Sequence, residues 1–451
     1  MNILYITVDA LRADHVREDI MPFTRSFFDD AVEFTECIAN GPGTPWSFPA
    51  LLASRYAGST EGFGIPGEED PHPTLAEVVS EEGYSTGGFT DNRFASSAYN
   101  YDRGIDDMRD ASATTSWKTF KQFIRENLDH EGILFQSLLR VYHLIDNAFV
   151  TASDKESRFV RGEVLVDDLL DWSREQEKWF SWLHPMDVHA PYEAPDEYQR
   201  LFLDEPIDRV QSQKLARTAV HHPEEMNDKD WKLQKQLYKA ECRYLDNQIK
   251  RLFNTLSDRN ELNETIIVFT ADHGDMHGEH GRGGHPQEFW EEVIRVPLAI
   301  SLPKQAATRV ENQVCLVDLP PTILSLLDVD VPSQWDGDPL IREEEWQSPD
   351  REYGFIDVGA ELDREHAGVR RTDGWKLLRH QGDQYLFDIS ENPEESEEQN
   401  RIDDEREIYE LLSSTLDEHL DQMQHRRAHG QTAVEDEEMI EDHLKELGYL
   451  E

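Results

Sequence analysis

Two strand-like runs far apart in this chain each end in an acidic residue, and this pairing restricts the fold more than any other feature. Thr265-Ile266-Ile267-Val268-Phe269 leads into Thr270-Ala271-Asp272-His273-Gly274-Asp275, and Asn2-Ile3-Leu4-Tyr5-Ile6-Thr7-Val8 leads directly into Asp9. Short apolar runs rich in β-branched residues read as fully buried strands. In open α/β sheets, ligands gather beyond the carboxyl ends of such strands. Asp offers a hard oxygen and His a neutral nitrogen, a usual donor pair for a divalent cation. Two acid-tipped strands so distant in sequence meet only in a folded sheet, so a composite metal site is expected.

Strand and helix patterns alternate over the first 110 or so residues. Thr74 to Val79 has apolar residues at helical spacing, Gly83 ends that helix, and Tyr84 to Phe89 reads as the next strand. Residues from about 113 to 165 are helical in pattern and rich in aromatics, as in an insertion that covers a cleft. Lys178 to His184 is another buried strand, 226 to 256 a long amphipathic helix, Val296 to Ile300 a further strand, and Pro320-Pro321-Thr322 a helix start. From Tyr353 the strands shorten, including Trp375 to Leu378 and Gln384 to Phe387, which suggests a small antiparallel sheet. The division expected is 1–345 as a catalytic unit and 346–451 as a C-terminal subdomain with an acidic helical tail.

Acidic residues number 93 against 44 basic ones, giving a net charge of -49 and a pI near 4.6. The excess is spread along the whole chain, and arginine outnumbers lysine. This reads as a surface suited to high salt, where screening relieves self-repulsion. Nucleic-acid binding requires a basic footprint and is not expected. Cys37, Cys242 and Cys315 form no CxxC pair, so neither a zinc ribbon nor a disulfide framework is indicated. Met1 leads straight into a strand, and no run is long enough to span a bilayer, so a cytoplasmic location without stable membrane insertion is expected.

Four segments carry chemistry. Asp9 in Val8-Asp9-Ala10-Leu11-Arg12 is either a metal ligand or a helix N-cap. Ser47 precedes the proline-led apolar helix Pro49-Ala50-Leu51-Leu52 and is either a helix N-cap or a hydroxyl that the helix terminus and a cation would activate. Asp272-His273 is followed by His277, His280 and His285 in a glycine-rich loop; of these, His277 reads as the solvated one. His184-Pro185-Met186-Asp187-Val188-His189 follows a buried strand, and either histidine suits proton donation to a leaving oxygen.

Together these segments resemble the sulfatase family of the alkaline phosphatase superfamily, and the similarity follows the family's order along nearly the whole chain. Asp9 to Arg12 is similar to the opening metal motif, and Ser47-Phe48-Pro49-Ala50-Leu51 to the nucleophile motif. His184 to Tyr192 resembles the central histidine segment, Asp272-His273-Gly274 the second metal motif, and Ile294 to Leu298 the strand after it. Asp318 to Thr322, Gly374-Trp375-Lys376, Leu386-Phe387-Asp388, Asn392-Pro393-Glu394 and Asn400 resemble its C-terminal signatures. The resemblance implies an α/β fold like that of alkaline phosphatase: a large mixed sheet sandwiched by helices, and a smaller C-terminal antiparallel sheet with a helix. Halophilic archaeal members are the expected nearest kind.

The departures carry as much information. Formylglycine maturation in the family reads an arginine four positions after the nucleophile, and Leu51 stands there. Position 10 is Ala where many sulfatases have a second Asp; His273 replaces an asparagine and His285 a lysine. The resemblance therefore implies one divalent ion (Ca, Mn or Mg) on Asp9, Asp272 and His273. Ser47 would be an unmodified nucleophile, His189 and His285 catalytic, and Arg12 and His184 substrate-binding. A serine cannot expel sulfate by collapsing to an aldehyde, which tilts the reading from sulfuric toward phosphoric esters. The expected function is hydrolysis of a small-molecule or glycan ester. The alternatives are a phosphoryl-group transferase acting on a glycan or lipid, and an inactive binding protein of the same fold. Thr44 is the next nucleophile candidate, and the oligomeric state is left open.

Overall fold

The computed structural model describes residues 1–110, 159–343, 345–359, 364–380 and 382–427. Most of the expected insertion, and the tail beyond 427, lie outside these.

Nine strands form the large sheet: β1 Asn2–Val8, β2 Val32–Ile38, β3 Ser85–Thr90, β4 Asp107–Arg109, β5 Trp179–His184, β6 Thr265–Ala271, β7 Arg295–Ser301, β8 Thr308–Val310 and β9 Val314–Cys315. Their order is β8-β2-β7-β6-β1-β5-β3-β4, with β9 also on β2. From β6 through β4 the strands are parallel, while β7 runs antiparallel to both neighbours. The central strands are buried along their full length, as two-sided coverage by helices requires. Helices flanking the sheet include α1 Pro22–Asp30, α2 Thr44–Ala53, α3 Leu75–Glu81, α4 Gly162–Ser173 and α5 Asp228–Asp258. α3 begins at a capping box made by Thr74 and Glu77, and α5 at one made by Asn227 and Asp230.

A second sheet follows, with four antiparallel strands: β10 Tyr353–Asp357, β11 Ala367–Arg371, β12 Trp375–His380 and β13 Asp383–Asp388. Helix α6, Arg406–Arg427, packs Leu412, Leu416 and Leu420 against Ala367, Val369, Leu377 and Leu386. The architecture is the α/β one expected: a large mixed sheet between helices and a small antiparallel sheet with a helix. Among the described residues, no helix is long and apolar enough to cross a membrane.

Candidate active site

Register places the site. Val8 pairs with Ala271 across β1 and β6, and the Asp272 N–H donates to Val8 O at 3.3 Å, so Asp9 and Asp272 leave adjacent strands side by side. β5 flanks β1 on its other side and ends at His184; β3, beyond it, pairs Thr90 with His184 and delivers Asn92 two residues later. Four neighbouring strands thus contribute to one edge.

The carboxylates meet four kinds of partner. Asp9 Oδ2 accepts from Asn92 Nδ2 at 2.6 Å and lies 3.3 Å from His184 Nε2. Asp272 Oδ1 accepts from the N–H groups of Ala10 (3.2 Å) and His273 (2.9 Å). Ala10 reaches this position with φ +54, a strained conformation for a residue with a side chain. Asp272 Oδ2 accepts from Thr44 Oγ1 at 2.8 Å, and Asn92 Nδ2 donates to that same hydroxyl at 3.1 Å. All five side chains are buried.

The donor set fits a divalent cation. Asp9 Oδ1 and His273 Nε2 are buried without a hydrogen-bond partner and face each other at 3.7 Å. Two ligands that share an ion at normal bond lengths stand roughly 3–3.6 Å apart. His273 Nδ1 donates to Gly274 O at 2.8 Å, which turns the Nε2 lone pair toward Asp9. Asp9, His184 and Asp272 also bring one ligand atom each within 4.8 Å of one another. Burial opposes ionisation of Asp9, but His189, His184 and His273 hold it below the usual carboxylate range. Asp272 is raised by burial, to which the Asp9 charge adds. For His184, burial favours the neutral ring, but the hydrogen bond to Asp9 and the two carboxylates outweigh it and raise the pKa.

The hydroxyl that faces the carboxylates is that of Thr44, not that of Ser47, the expected nucleophile. α2 begins at Thr44, with Pro45 in its first turn and Pro49 inside, so the helix starts five residues earlier than the sequence reading placed it. Ser47 sits a turn further along and donates to Gly41 O at 2.9 Å, while Thr44 faces the carboxylates. The Arg12 guanidinium pairs with Asp14 at 2.8 Å and Glu279 at 3.3 Å and donates to Asp275 O. His277 is not solvated. It is fully buried against Tyr238, with ring centroids 4.4 Å apart, and burial lowers its pKa to about 4.

His189 and His285 do meet, with ring centroids 5.1 Å apart, and His285 lies 4.4 Å from His273. His189 Nδ1 donates to Ala190 O at 2.7 Å. His285 Nδ1 faces Asp275 Oδ1 at 3.3 Å, and Tyr192 donates to Asp275 Oδ2 at 2.6 Å. Burial, then His273, lowers His285 to about 4. Asn92, Asp275 and Tyr192 were not selected from sequence. Asn92 follows a recognised strand by a few residues, the same signal that marked Asp9 and Asp272.

Fold and donor set together describe an α/β protein built around a buried group of carboxylates and imidazoles that could hold a metal ion. The chain belongs to the sulfatase family of ester hydrolases: the family's Sulfatase model matches residues 1–329, and a model for the N-sulphoglucosamine sulphohydrolase C-terminal region matches 278–426. It is 28% identical over 255 residues to the uncharacterized sulfatase YidJ of Escherichia coli, covering 53% of this chain and 50% of the relative. It is 28% identical over 256 residues to an arylsulfatase of Clostridium perfringens, covering 51% and 52%. The matched region thus spans about half the length of these relatives. A phosphonate monoester hydrolase from Silicibacter pomeroyi shares the fold with a TM-score of 0.66 at 20% identity, over 95% of this chain and 96% of that one. So does a protein solved in complex with its substrate D-glucosamine-2-N,6-O-disulfate, with a TM-score of 0.64 at 18% identity, over 94% and 98%.

Proposed function

We propose that this chain is a divalent-metal-dependent hydrolase of phosphoric or phosphonic esters that carry one negative charge, with Thr44 as nucleophile. The observation that carries this reading is the Thr44 hydroxyl, 2.8 Å from Asp272 and 3.1 Å from Asn92 at the start of α2.

Oxidation of a threonine at its hydroxyl carbon gives a ketone, not formylglycine. The positions two and four beyond Thr44 are Trp46 and Phe48, so the maturation pattern is missing from Thr44 as it is from Ser47. Without an aldehyde hydrate, a threonine sulfate has no easy exit, whereas a threonine phosphoryl ester is open to water at phosphorus. Charge points the same way. Among the described residues, Asp9 and Asp272 touch only imidazoles, Asn92, Thr44 and backbone N–H groups. One doubly charged ion against two carboxylates leaves the site near neutrality, which favours a monoanion over a dianion.

When bound, the ion would polarise the ester and ease loss of the hydroxyl proton. Asp9, Asp272 and His273 would hold it, beside Thr44. Thr44 Oγ1 attacks phosphorus in line and passes its proton to Asp272 Oδ2, while the phosphorus–oxygen bond to the ester alcohol breaks and the alcohol departs with that electron pair. Asn92 Nδ2 steadies the hydroxyl, and the N-terminus of α2 favours the negative charge that develops there. His189 and His285, whose rings meet beside His273, are the candidates to protonate the leaving oxygen. The surface charge of -49 fits work in high salt.

A substrate panel tests this reading. Bis(4-nitrophenyl) phosphate, 4-nitrophenyl phenylphosphonate, 4-nitrophenyl phosphate and 4-nitrophenyl sulfate are compared in molar KCl with Mn, Ca, Mg or Zn. The monoanionic phosphorus esters should give the highest kcat/KM, and chelation should abolish turnover. Turnover of the sulfate alone, or turnover indifferent to chelation, would refute it.

A further inference from the structure

His189 and His285 stand close together, yet the groups behind them differ. His189 Nδ1 rests on a backbone carbonyl of its own loop, Ala190 O at 2.7 Å. His285 Nδ1 rests on a carboxylate, Asp275 Oδ1 at 3.3 Å, whose other oxygen is held by the Tyr192 hydroxyl at 2.6 Å. All three members are buried, and they join two separate loops. Tyr192 follows β5 on the loop that bears His189, while Asp275 follows β6 on the loop that bears the carboxylate Asp272.

A carboxylate only accepts, so the ring facing it carries its proton on Nδ1 and presents the Nε2 lone pair elsewhere. Here the ring stands against His273 and His189, beside the reacting centre. Tyr192 leaves Asp275 one orientation, and Asp275 leaves His285 one tautomer. We propose that Asp275, fixed by Tyr192, is a positioning residue that sets His285 as the proton acceptor for the water that releases Thr44. This rests on Thr44 forming a covalent ester, as proposed above. In that step the water oxygen bonds to phosphorus and one of its protons passes to His285 Nε2. The phosphorus–Oγ1 bond breaks with its electron pair left on Thr44, which takes back its proton from Asp272 as His285 returns its own to solvent.

The proposal separates two half-reactions that a purely structural role would weaken together. With a 4-nitrophenyl phosphodiester, departure of the first leaving group needs little help, so a defect confined to the second step produces a burst. Asp275→Asn should lower steady-state kcat by about 100-fold or more, lower KM in parallel so that kcat/KM stays near wild type, keep metal content near wild type, and release about one nitrophenol per site in the burst. The Thr44 peptide should then carry the phosphoryl group. His285→Ala should behave alike, and the double variant should be no slower than His285→Ala alone, because Asp275 acts through that ring. Tyr192→Phe should cost about tenfold. Nitrogen-15 histidine NMR, with His285 assigned by difference from His285→Ala, should show the Nδ1–H tautomer in the wild type and its loss in Asp275→Asn. Additive losses in the double variant, metal loss in Asp275→Asn, or an Nε2–H ring in the wild type would overturn the proposal. A catalytically competent wild type with no phosphoryl-Thr44 in any variant would instead overturn the nucleophile assignment, and the NMR result would still decide the tautomer.

Discussion

Replacing Thr44 by valine changes one oxygen to a methyl carbon and leaves the side-chain shape nearly intact. The hydroxyl makes contacts of 2.8 Å to Asp272 Oδ2, 3.1 Å from Asn92 Nδ2 and 3.5 Å to Asp9 Oδ2. Asn92 Nδ2 keeps its 2.6 Å bond to Asp9, so the structural cost falls mainly on Asp272 and amounts to about 1–3 kcal/mol. The catalytic cost is larger, since loss of a nucleophile removes the bond-forming step; kcat should fall by about 10⁴ or more. Thr44→Ser keeps the oxygen and should retain turnover within about tenfold, that is, a cost of no more than about 1.4 kcal/mol in the barrier. Ser47→Ala is the control, because it breaks only the buried 2.9 Å bond to Gly41 O. It should cost about 1–3 kcal/mol of stability and leave kcat per folded molecule within about threefold. The assays are steady-state kinetics on the best phosphorus ester, metal content by mass spectrometry, and urea unfolding. Near-normal kcat in Thr44→Val, or a thousandfold loss in folded Ser47→Ala at unchanged KM, would refute the reasoning.

Four further outcomes are expected. Divalent cations should raise the melting temperature and a chelator reverse this, because an ion bound only by the native state stabilises it by about 2.7 kcal/mol at a hundredfold excess over Kd; Asp9→Asn and Asp272→Asn should abolish the shift. Gly274→Ala should destabilise the fold, since an added Cβ would stand 2.1 Å from Glu292 O, and overpacking costs about 1–3 kcal/mol even before backbone has to move; a wild-type unfolding curve would contradict this. Glu395 is held near pKa 7, chiefly by burial, against an unperturbed 4.5, so its share of stability is complete below about 4.5 and is lost as pH rises to about 7. Glu395→Gln should flatten urea-measured stability over that window by roughly 3 kcal/mol at most, and an unchanged slope would argue against it. Melting temperature should rise steeply with KCl if the -49 charge is a high-salt surface, and a flat dependence would remove that reading.

The strands that build the site were legible because they are buried on both faces and so read as continuous apolar runs. β1, β5 and β6 fall within a residue or two of where the pattern put them, and the acids at their ends follow from that. Helix α2 shows where legibility stops. Pro45 and Pro49 lie four residues apart, and each is acceptable in a first turn; the pattern was read as starting at Pro49, which put Ser47 ahead of Thr44. Local pattern does not reveal which hydroxyl faces Asp272; that depends on contacts between residues 228 positions apart. His277 failed for a related reason. A glycine-rich loop looks solvated, but the short hairpin of Met276–His277 with Gly283–Gly284 folds back on α5 and buries the ring beneath Tyr238. Arg12 was assigned to substrate binding through the resemblance of Asp9 to Arg12 to the family's opening motif, and its ion pairs with Asp14 and Glu279 are contacts that local pattern does not reveal.

The small C-terminal sheet has a physical connection to the candidate cation site. Lys376 on β12 is fully buried between Glu291, at 2.9 Å, and Glu395, at 2.7 Å, and Arg370 on β11 reaches Glu36 and Glu291. Lys376 and Arg370 hold Glu291 ionised, with a pKa of about 2, despite its burial. Glu291 opens the short turn Glu291–Ile294, and Val293 O in that turn accepts the Gly274 N–H at 2.6 Å. Gly274 immediately follows Asp272-His273, so the backbone that aims both candidate ligands is braced from the second sheet. Breaking one partner of a buried charge cluster is costly, about 3–5 kcal/mol, because the other charges remain without compensation. Lys376→Met should therefore loosen the Gly274 backbone and weaken cation binding in a protein whose Asp9, Asp272 and His273 are untouched. Metal affinity equal to wild type in a folded Lys376→Met variant would show that the second sheet only packs against the first and does not hold the site.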